Sequence, residues 1–190
     1  MSDRIEFFYD VGSHYSYLAA VQMDSLAADT GRPVVWRPIL LGGVFKGSGN
    51  QAPISVPSRG PYLAKDLQRC SEQLGVAFRM PSRFPLNTLQ PMRYLCGAPD
   101  SELKEASLRL FRAYWFDDMD ISSPEVLAGL FGAHAVARAS DEAVKQKLKD
   151  NSEEVVRRGA FGAPTFFVGD EMFFGADRIP QMRWWLAKRK

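Results

Sequence analysis

Strand-forming sequence lies at the two ends of this chain, and that distribution constrains the fold more than any other feature. Near the N-terminus, the aromatic run RIEFFY at residues 4–9 predicts a strand, residues 15–28 predict a helix and residues 34–40 predict a second strand. Glycine and proline at residues 31–33 separate the helix from the second strand. The first forty residues therefore form a predicted βαβ unit, with its two strands parallel.

The C-terminal end carries a different strand arrangement. Two short apolar runs, residues 165–168 and 171–174, are separated by Gly169 and Asp170, which is typical of a two-residue hairpin. A last helix is predicted over residues 177–188. We therefore expect strands from both chain ends to share one sheet.

The sequence between the two ends is mostly helical. Residues 42–61 hold five glycines and three prolines and predict a long irregular loop. Apolar residues then recur at helical spacing up to residue 158. We expect an α/β sheet domain made of residues 1–58 and 159–190, with an all-helical domain of residues 59–158 inserted into it.

Charge and composition argue against several classes of function. The 24 basic residues nearly offset the 22 acidic ones, so the net charge of +2 gives no general attraction for nucleic acid or an anionic membrane. No signal peptide pattern and no apolar run of about 20 residues is visible, so a cytoplasmic location is expected. The two cysteines, Cys70 and Cys96, are too far apart for a CxxC motif, and no metal-ligand spacing occurs, so we predict no metal site.

Ser13 lies where the first predicted strand meets the first helix. Backbone N–H groups at a helix N-terminus stabilise a nearby anion. A cysteine at this position would be a redox nucleophile, whereas a serine is better suited to donating its hydroxyl hydrogen to an external thiolate. Serine is also a common helix cap, so a purely structural role stays open.

Two positions near the C-terminus are candidates for ligand contact. Pro164 lies between a turn and a strand, where a cis peptide bond would leave the backbone of Ala163 exposed to an extended, peptide-like ligand; an ordinary trans proline is the alternative. Asp177 begins the last predicted helix, where it either caps that helix or pairs with a ligand ammonium group.

These motifs together resemble a known family. The segments DVGSHYSYL (residues 10–18), GNQAP (49–53), GAFGAPT (159–165) and FGADR (174–178) are similar to those of 2-hydroxychromene-2-carboxylate isomerases and, equally, of kappa-class glutathione transferases. Both groups belong to the thioredoxin-like proteins related to the disulfide oxidoreductase DsbA. The resemblance covers nearly the whole chain and implies a thioredoxin-like fold (βαβ…ββα) with an inserted helical domain.

The resemblance also implies glutathione as the cofactor. Ser13 would be the catalytic residue that contacts the glutathione sulfur, Asn50 would reach the tripeptide from the long loop, and Ala163 would pair with its backbone beside a cis Pro164. The other glutathione-binding residues that the resemblance implies are Tyr15, Ala176 and Asp177, the last two at the γ-glutamyl end. A homodimer is expected on the same basis.

In the isomerase reaction that the resemblance implies, the nucleophile is the sulfur of glutathione. The thiolate adds to a conjugated carbon of an aromatic substrate, the former double bond rotates, and elimination restores it without net redox change. His14 stands where the family commonly has a proline; we expect a surface helix residue, and an acid–base role is the alternative.

The sequence leaves the substrate side of the site open. Four cations are unranked candidates for holding a substrate carboxylate: Lys46, Arg59, Arg83 and Arg93. Three aromatic residues of the helical region either line a pocket for an aromatic substrate or belong to the core: Phe84, Trp115 and Phe116. Asn87 either caps the following helix or, with Thr88, faces the substrate.

Four functions are compatible with these residues to different degrees. A glutathione-dependent isomerase of an unsaturated aromatic, pyruvate-type compound comes first, and a kappa-type transferase or peroxidase at the same site comes second. A disulfide oxidoreductase is disfavoured because no cysteine stands near Ser13 in the sequence. A non-catalytic glutathione-binding protein is the fourth.

Overall fold

The computed structural model describes residues 3–189; Met1, Ser2 and Lys190, at the ends of the predicted sheet domain, lie outside the described residues. Four strands in this range form one sheet: β1 (Ile5–Tyr9), β2 (Val34–Pro38), β3 (Thr165–Val168) and β4 (Glu171–Phe174). The α-helices of the same range are α1 (His14–Ala20), α2 (Met23–Thr30), α3 (Leu41–Ser48), α4 (Gly60–Leu74), α5 (Leu89–Gly97), α6 (Asp100–Trp115), α7 (Pro124–Phe131), α8 (His134–Ser140), α9 (Glu142–Arg157) and α10 (Ile179–Ala187). No helix in this part of the chain is both long and apolar enough to cross a membrane.

The sheet has the strand order β2-β1-β3-β4. Strands β1 and β2 are parallel, with Phe7 opposite Trp36, whereas β3 is antiparallel to β1, with Phe8 opposite Thr165. Strand β4 returns antiparallel to β3 through the predicted two-residue hairpin. The expectation that both chain ends contribute to one sheet is therefore confirmed, as is the thioredoxin-like arrangement with helices between the two halves.

Strand β1 is buried on both faces of the sheet, because all five of its residues are buried. Side chains alternate along a strand, so Phe7 enters the larger apolar core with residues of α1, α5, α6 and α10. Phe8 enters a smaller core on the other face, against Val44 of α3 and Val155 of α9. Each fully buried aromatic contributes roughly 1.5–3 kcal/mol.

An ion-pair cluster fixes the loop that precedes β3. Glu6 of β1 accepts hydrogen bonds from Arg37 (3.1 Å) and from Arg158 (2.9 Å), which lies directly after α9. Arg158 also donates to the carbonyl of Gly169 in the β3–β4 turn (2.9 Å). Residues 159–164 are thus held at their start by α9 and at their end by β3.

Three predicted elements need correction. The helix over residues 15–28 is divided into α1 and α2, since the N–H groups of Val21 and Gln22 bond to Tyr17 (3.2 Å) and Ala19 (2.9 Å) and close α1. The segment 42–61, predicted to be irregular, contains all of α3 except its first residue, and the start of α4. The last α-helix begins two residues later than predicted, after a short 3-10 turn at Ala176–Arg178.

Tertiary contacts explain why the glycine-rich segment forms α3. The N–H group of Leu40 donates to Ser152 of α9 (2.9 Å), and that of Leu41 donates to the buried carboxylate of Asp10 (2.8 Å). A Cβ added to Gly47 would lie only 3.3 Å from Val156, so the glycine allows α3 to pack closely on α9. Helices α4 to α9 occupy residues 60–157; their separation from residues 1–58 and 159–190 as an independent domain stays a prediction.

Candidate functional site

A cleft of about 1050 Å³ opens at one edge of the sheet. The strand directions place four segments at this edge: those that follow β1, β2 and β4, and the one that precedes β3. All seven residues predicted to bind glutathione line the cleft: Ser13, Tyr15, Asn50, Ala163, Pro164, Ala176 and Asp177. The structure therefore brings together residues that lie up to 164 positions apart in the chain (177 − 13).

Ser13 is the N-cap of α1 and is buried at the base of the cleft. Its Oγ accepts a hydrogen bond from the N–H of Ser16 (3.2 Å) and donates to the carbonyl of Ala163 (3.1 Å). The capping role is thus confirmed. Capping uses Oγ as an acceptor, so the hydroxyl hydrogen is free to point toward Ala163, the residue before Pro164. That hydrogen can turn toward another acceptor while Oγ continues to cap the helix.

The first turn of α1 carries two further donors. Among residues 3–189, the N–H groups of His14 and Tyr15 have no hydrogen-bond partner, because the first bonds of the helix are made by Ser16 and Tyr17. Helix α1 has only seven residues, so local N–H groups matter more here than a long helix dipole. Ser13 with these N–H groups forms a small anion-stabilising corner.

The peptide bond between Ala163 and Pro164 is cis, as predicted. The carbonyl of Ala163 accepts a hydrogen bond from the Ser13 hydroxyl. The N–H group of Ala163 has no hydrogen-bond partner among the described residues. The Pro164 carbonyl accepts the N–H of Gly175 (3.0 Å), which ties the segment before β3 to the segment after β4. Ala163 therefore presents a free backbone donor to the cleft.

Asn50 lies on the exposed rim of the cleft. Its side-chain amide donates to the carbonyl of Phe161 (2.8 Å), and its Oδ1 accepts from the N–H of Gln51 (2.8 Å). Asn50 consequently links the segment after α3 to the segment before β3 across the mouth of the cleft.

The hydroxyl of Tyr15 points to helix α4. It donates to Asp66 (2.6 Å), and Tyr62 donates to the same carboxylate (3.2 Å). Burial and the Asp66 carboxylate both raise the pKa of Tyr15, so its hydroxyl stays protonated at neutral pH. Tyr15 joins α1 to α4, and its hydroxyl hydrogen is already engaged.

Ala176 and Asp177 lie on the 3-10 turn after β4 and line the cleft. Asp177 makes no helix-cap hydrogen bond, because α10 begins later, at Ile179. Its exposed carboxylate pairs only with the neighbouring Arg178 (2.9 Å) among the described side chains. The capping alternative for Asp177 is therefore wrong, and the carboxylate is accessible from the cleft.

His14 is buried, which corrects the expectation of a surface residue. The ring packs against Phe78 and Trp115, and Nε2 bonds to Ser71 of α4 (2.8 Å). The Ser71 hydroxyl already donates to Leu67, so it accepts the Nε2 hydrogen of His14. Burial lowers the pKa of His14 to about 3, so the imidazole is neutral at pH 7 and is unsuited to acid–base catalysis there.

Asp10 is a site residue that the sequence did not single out. Its buried carboxylate accepts hydrogen bonds from the N–H groups of Gly12 (2.9 Å) and Leu41 (2.8 Å) and from the Thr88 hydroxyl (3.1 Å). Burial raises the pKa of Asp10, and the three donors oppose that rise. Asp10 thereby connects the Ser13 turn to the beginnings of α3 and α5. An aspartate directly after a buried strand was the only available signal.

Much of the cleft lining is apolar, and it includes one of the four candidate cations. Of the four cations considered from sequence, Arg59 lines the cleft and the other three do not. Phe84 and Trp115 line it as well, whereas Phe116 packs with Arg112 outside it. The Trp115 Nε1 group donates to Val11 (2.8 Å), which fixes the ring.

The segment before α5 holds two features that the sequence did not predict. The Phe84–Pro85 peptide bond is also cis, and no sequence signal indicated it. Thr88, not Asn87, directly precedes α5, although Asn87 does accept the N–H of Leu89 (3.0 Å). Thr88 lines the cleft, and its hydroxyl donates to Asp10.

Cys70 of α4 also lines the cleft, so a cysteine does stand in the site. Burial, Asp66 and Asp177 all raise the pKa of its thiol, which keeps it protonated and a poor nucleophile at neutral pH. Cys96 is buried in the core, and burial raises the pKa of its thiol to about 12. Within residues 3–189, no group of three or more His, Cys, Asp or Glu is placed to hold a metal ion.

Comparisons with known proteins agree with this geometry. A family model described as DSBA-like thioredoxin domain matches residues 4–187. Rat (Rattus norvegicus) glutathione S-transferase kappa 1 is 30% identical over 97% of this chain and 91% of its own length, and the 2-hydroxychromene-2-carboxylate isomerase of Pseudomonas putida is 28% identical over 92% and 90%. A solved structure of 2-hydroxychromene-2-carboxylate isomerase has a TM-score of 0.85 at 23% identity, covering 97% of this chain and 94% of that one. The chain therefore belongs to the DSBA-like thioredoxin family, in the group that contains the kappa-class glutathione transferases and the 2-hydroxychromene-2-carboxylate isomerases.

Proposed function

We propose that this protein binds glutathione in the cleft and uses the glutathione thiolate to isomerise an unsaturated aromatic carboxylate by reversible addition. The observation that carries the proposal is the corner formed by the Ser13 hydroxyl, the free N–H groups of α1 and the backbone of Ala163 beside the cis proline. The corner can stabilise a thiolate, and the protein supplies no cysteine of lowered pKa to occupy it.

The backbone of Ala163 supports a defined pose for the tripeptide. Its unpaired N–H group offers a hydrogen bond to an extended peptide ligand, in the manner of an added strand. A cysteinyl residue paired there brings its sulfur toward Ser13, because Ser13 Oγ is only 3.1 Å from the Ala163 carbonyl. Asp177 then offers its exposed carboxylate to the ammonium of the γ-glutamyl end.

Ser13 stabilises the thiolate by rotating its hydroxyl hydrogen from the Ala163 carbonyl to the sulfur. Oγ continues to accept the Ser16 N–H, so the helix cap is not lost during this change. The N–H groups of His14 and Tyr15 add two donors to the same charge. These donors lower the pKa of the bound thiol and increase the fraction of thiolate at neutral pH.

In the reaction, the sulfur forms a bond to the conjugated carbon, and the electron pair of the double bond moves to the adjacent carbonyl oxygen as an enolate. Rotation about the new single bond follows. Return of the electron pair expels the thiolate and restores the double bond in the other geometry. Arg59, Phe84 and Trp115 all line the cleft. We assign Arg59 to the substrate carboxylate and the two aromatic side chains to its ring.

A kappa-type glutathione transferase is the second candidate, and the comparisons favour it to a similar degree. The rat kappa-class transferase is 30% identical to this chain and the Pseudomonas putida isomerase 28% identical. Both reactions need the same thiolate; they differ in whether the adduct eliminates glutathione or retains it. A homodimer and a cytoplasmic location remain predictions.

An activity panel tests the proposal. The protein is incubated with glutathione and 2-hydroxychromene-2-carboxylate, and in parallel with glutathione and 1-chloro-2,4-dinitrobenzene. We expect glutathione-dependent absorbance changes with the first substrate and slow or no conjugation with the second. Rapid conjugation alone would favour the transferase, and calorimetric glutathione binding without turnover would favour a non-catalytic binding protein. Absence of glutathione binding would reject the proposal as a whole.

A further inference from the structure

A second cavity lies on the opposite side of α3 from the cleft. It is a groove of about 850 Å³ between α3, α5 and α9. Leu41 and Phe45 of α3 line the cleft, whereas Gly43 and Gly47 of the same helix line the groove. The two cavities share no lining residue, so the groove is a separate feature of the surface.

The floor of the groove is apolar. It is formed by side chains from α5, from α9 and from the residue before α3: Leu40, Leu89, Leu148 and Val156. Gly43 leaves this floor open, because a Cβ built there would meet nothing nearer than the Leu40 Cβ at 4.0 Å. A volume of about 850 Å³ falls within the range of roughly 300–1,000 Å³ typical of small-molecule sites.

Positive charge surrounds the apolar floor. Five basic residues and two acidic ones line the groove: Lys46, Arg93, Lys145, Lys149, Arg157, Glu142 and Glu153. Both acidic residues are paired, since Glu142 lies 2.5 Å from Lys145 and Glu153 lies 3.9 Å from Lys149. The three remaining cations make no ion pair or hydrogen bond with any residue between 3 and 189.

We propose that this groove binds an amphipathic carboxylate with a long apolar chain, of the fatty-acid class. The unpaired cations Lys46, Arg93 and Arg157 supply the charge for one carboxylate head group, and Arg93 is partly withdrawn from water, which strengthens its attraction for an anion. The leucine-rich floor stabilises the chain by burying it. Glu142 and Glu153 on the rim disfavour polyanions such as nucleic acid, whose many phosphates would approach both carboxylates.

Calorimetric titration of the full chain with dodecanoate, below its critical micelle concentration, tests the charge requirement. Dodecanol serves as the matched neutral ligand, and inorganic phosphate as the anion without a chain. We expect dodecanoate to bind at least about 10-fold more tightly than dodecanol, because only the carboxylate can accept charge-assisted hydrogen bonds from the unpaired cations. Equal affinities for dodecanoate and dodecanol would overturn the proposal, as would tight binding of phosphate with no gain from the chain.

Variants on the two faces of α3 locate the site. Gly43→Phe fills the groove and is expected to abolish dodecanoate binding, whereas Gly42→Phe fills the cleft side and is expected to leave it intact; neither position has a neighbour closer than 4.0 Å. Arg93→Gln is expected to weaken dodecanoate binding about 5- to 20-fold, and Arg59→Gln, in the cleft, to change it less than 2-fold. Circular dichroism checks that each variant is folded.

Two results would overturn the assignment of the groove. If Arg59→Gln weakens dodecanoate binding and Arg93→Gln does not, the carboxylate binds in the cleft. If Gly43→Phe converts a dimer into a monomer in sedimentation equilibrium without affecting dodecanoate, the groove is an interface between copies of the chain. In either case, direct titration with glutathione in the absence of dodecanoate still reports on the cleft, so these results are distinguishable from a failure of the proposed function.

Discussion

Replacing Ser13 by alanine separates its structural role from its chemical one. The wild-type Oγ makes two hydrogen bonds, to Ser16 (3.2 Å) and to the carbonyl of Ala163 (3.1 Å), so its loss lowers the free energy of unfolding by about 1–2 kcal/mol. A charge-assisted hydrogen bond to a thiolate contributes about 1.5–3 kcal/mol. At about 1.4 kcal/mol per pKa unit, the pKa of bound glutathione should rise by roughly 1–2 units. Turnover should fall by roughly 10- to 1,000-fold, as when a single anion-stabilising donor is removed from other enzymes.

Ser123→Ala is the matched control for this experiment. Ser123 caps α7 as Ser13 caps α1, accepting from the N–H groups of Glu125 (3.2 Å) and Val126 (3.3 Å), but it does not line the cleft. The free energy of unfolding of Ser123→Ala should fall by about 1 kcal/mol, and its turnover should equal that of the wild type. The thiol pKa is measured from thiolate absorbance in complexes saturated with glutathione. Equal turnover of Ser13→Ala and wild type at saturating glutathione, or an equal loss in Ser123→Ala, would refute the assigned role.

Three further predictions follow from individual side chains. Arg59→Gln should raise the KM for an aromatic carboxylate about 10-fold or more. Arg83→Gln should not, because Arg83 pairs with Asp120 outside the cleft. Equal KM values for Arg59→Gln and wild type would exclude Arg59 as the carboxylate ligand. The depressed pKa of His14 stabilises the fold above pH 6.5, and this contribution is lost as the pH falls toward 3, because the unfolded imidazole binds its proton first. Between pH 7 and 4.5, chemical denaturation should show about 2–3 kcal/mol of loss that is absent in His14→Gln; parallel curves for both proteins would contradict the buried neutral ring. Asp10→Asn should lower the free energy of unfolding by about 2–4 kcal/mol, because one of the three groups that donate to Asp10 would then face an amide hydrogen. Thr88→Val, which removes one donor, should lower it by only about 1 kcal/mol. An Asp10→Asn variant as stable as wild type would show that the carboxylate does not organise the site.

Local sequence signals predicted the parts of the site that depend on local structure. A β-prone run, a turn and a capping residue identified the Ser13 junction. At Pro164 the local sequence left cis and trans open, and the family resemblance implied the cis bond that is present. The seven proposed glutathione contacts came from resemblance to a family, and the structure places all of them in one cleft. Ser13, Ala163 and Pro164 directly precede elements that the sequence pattern identified, whereas Asn50 follows α3, which the pattern did not identify.

Features that depend on tertiary contacts were not predictable. His14 looks like an exposed residue of a helix start, but α4 covers it through Ser71 and Phe78. The glycines of α3 argue for a loop, yet the helix forms because Asp10 and Ser152 accept its first N–H groups. In both cases the partner lies at least 31 residues away, beyond the reach of periodicity or propensity.

The position of the cleft follows from the strand directions alone. Because β1 and β2 are parallel, the segments that follow them leave the sheet at the same edge, carrying Ser13 and, beyond α3, Asn50. Because β3 is antiparallel to β1, its preceding residue, Pro164, must start from that edge, and because β4 is antiparallel to β3, Ala176 must return to it. Exchanging the direction of any one strand would move its residue to the opposite edge, roughly 13–17 Å away for strands of four or five residues. A chain that builds its sheet from both ends in this order therefore gathers four distant segments around one cleft. In the proposed function, the serine at residue 13 leaves the reacting sulfur to the ligand, whereas a cysteine there would supply it from the protein.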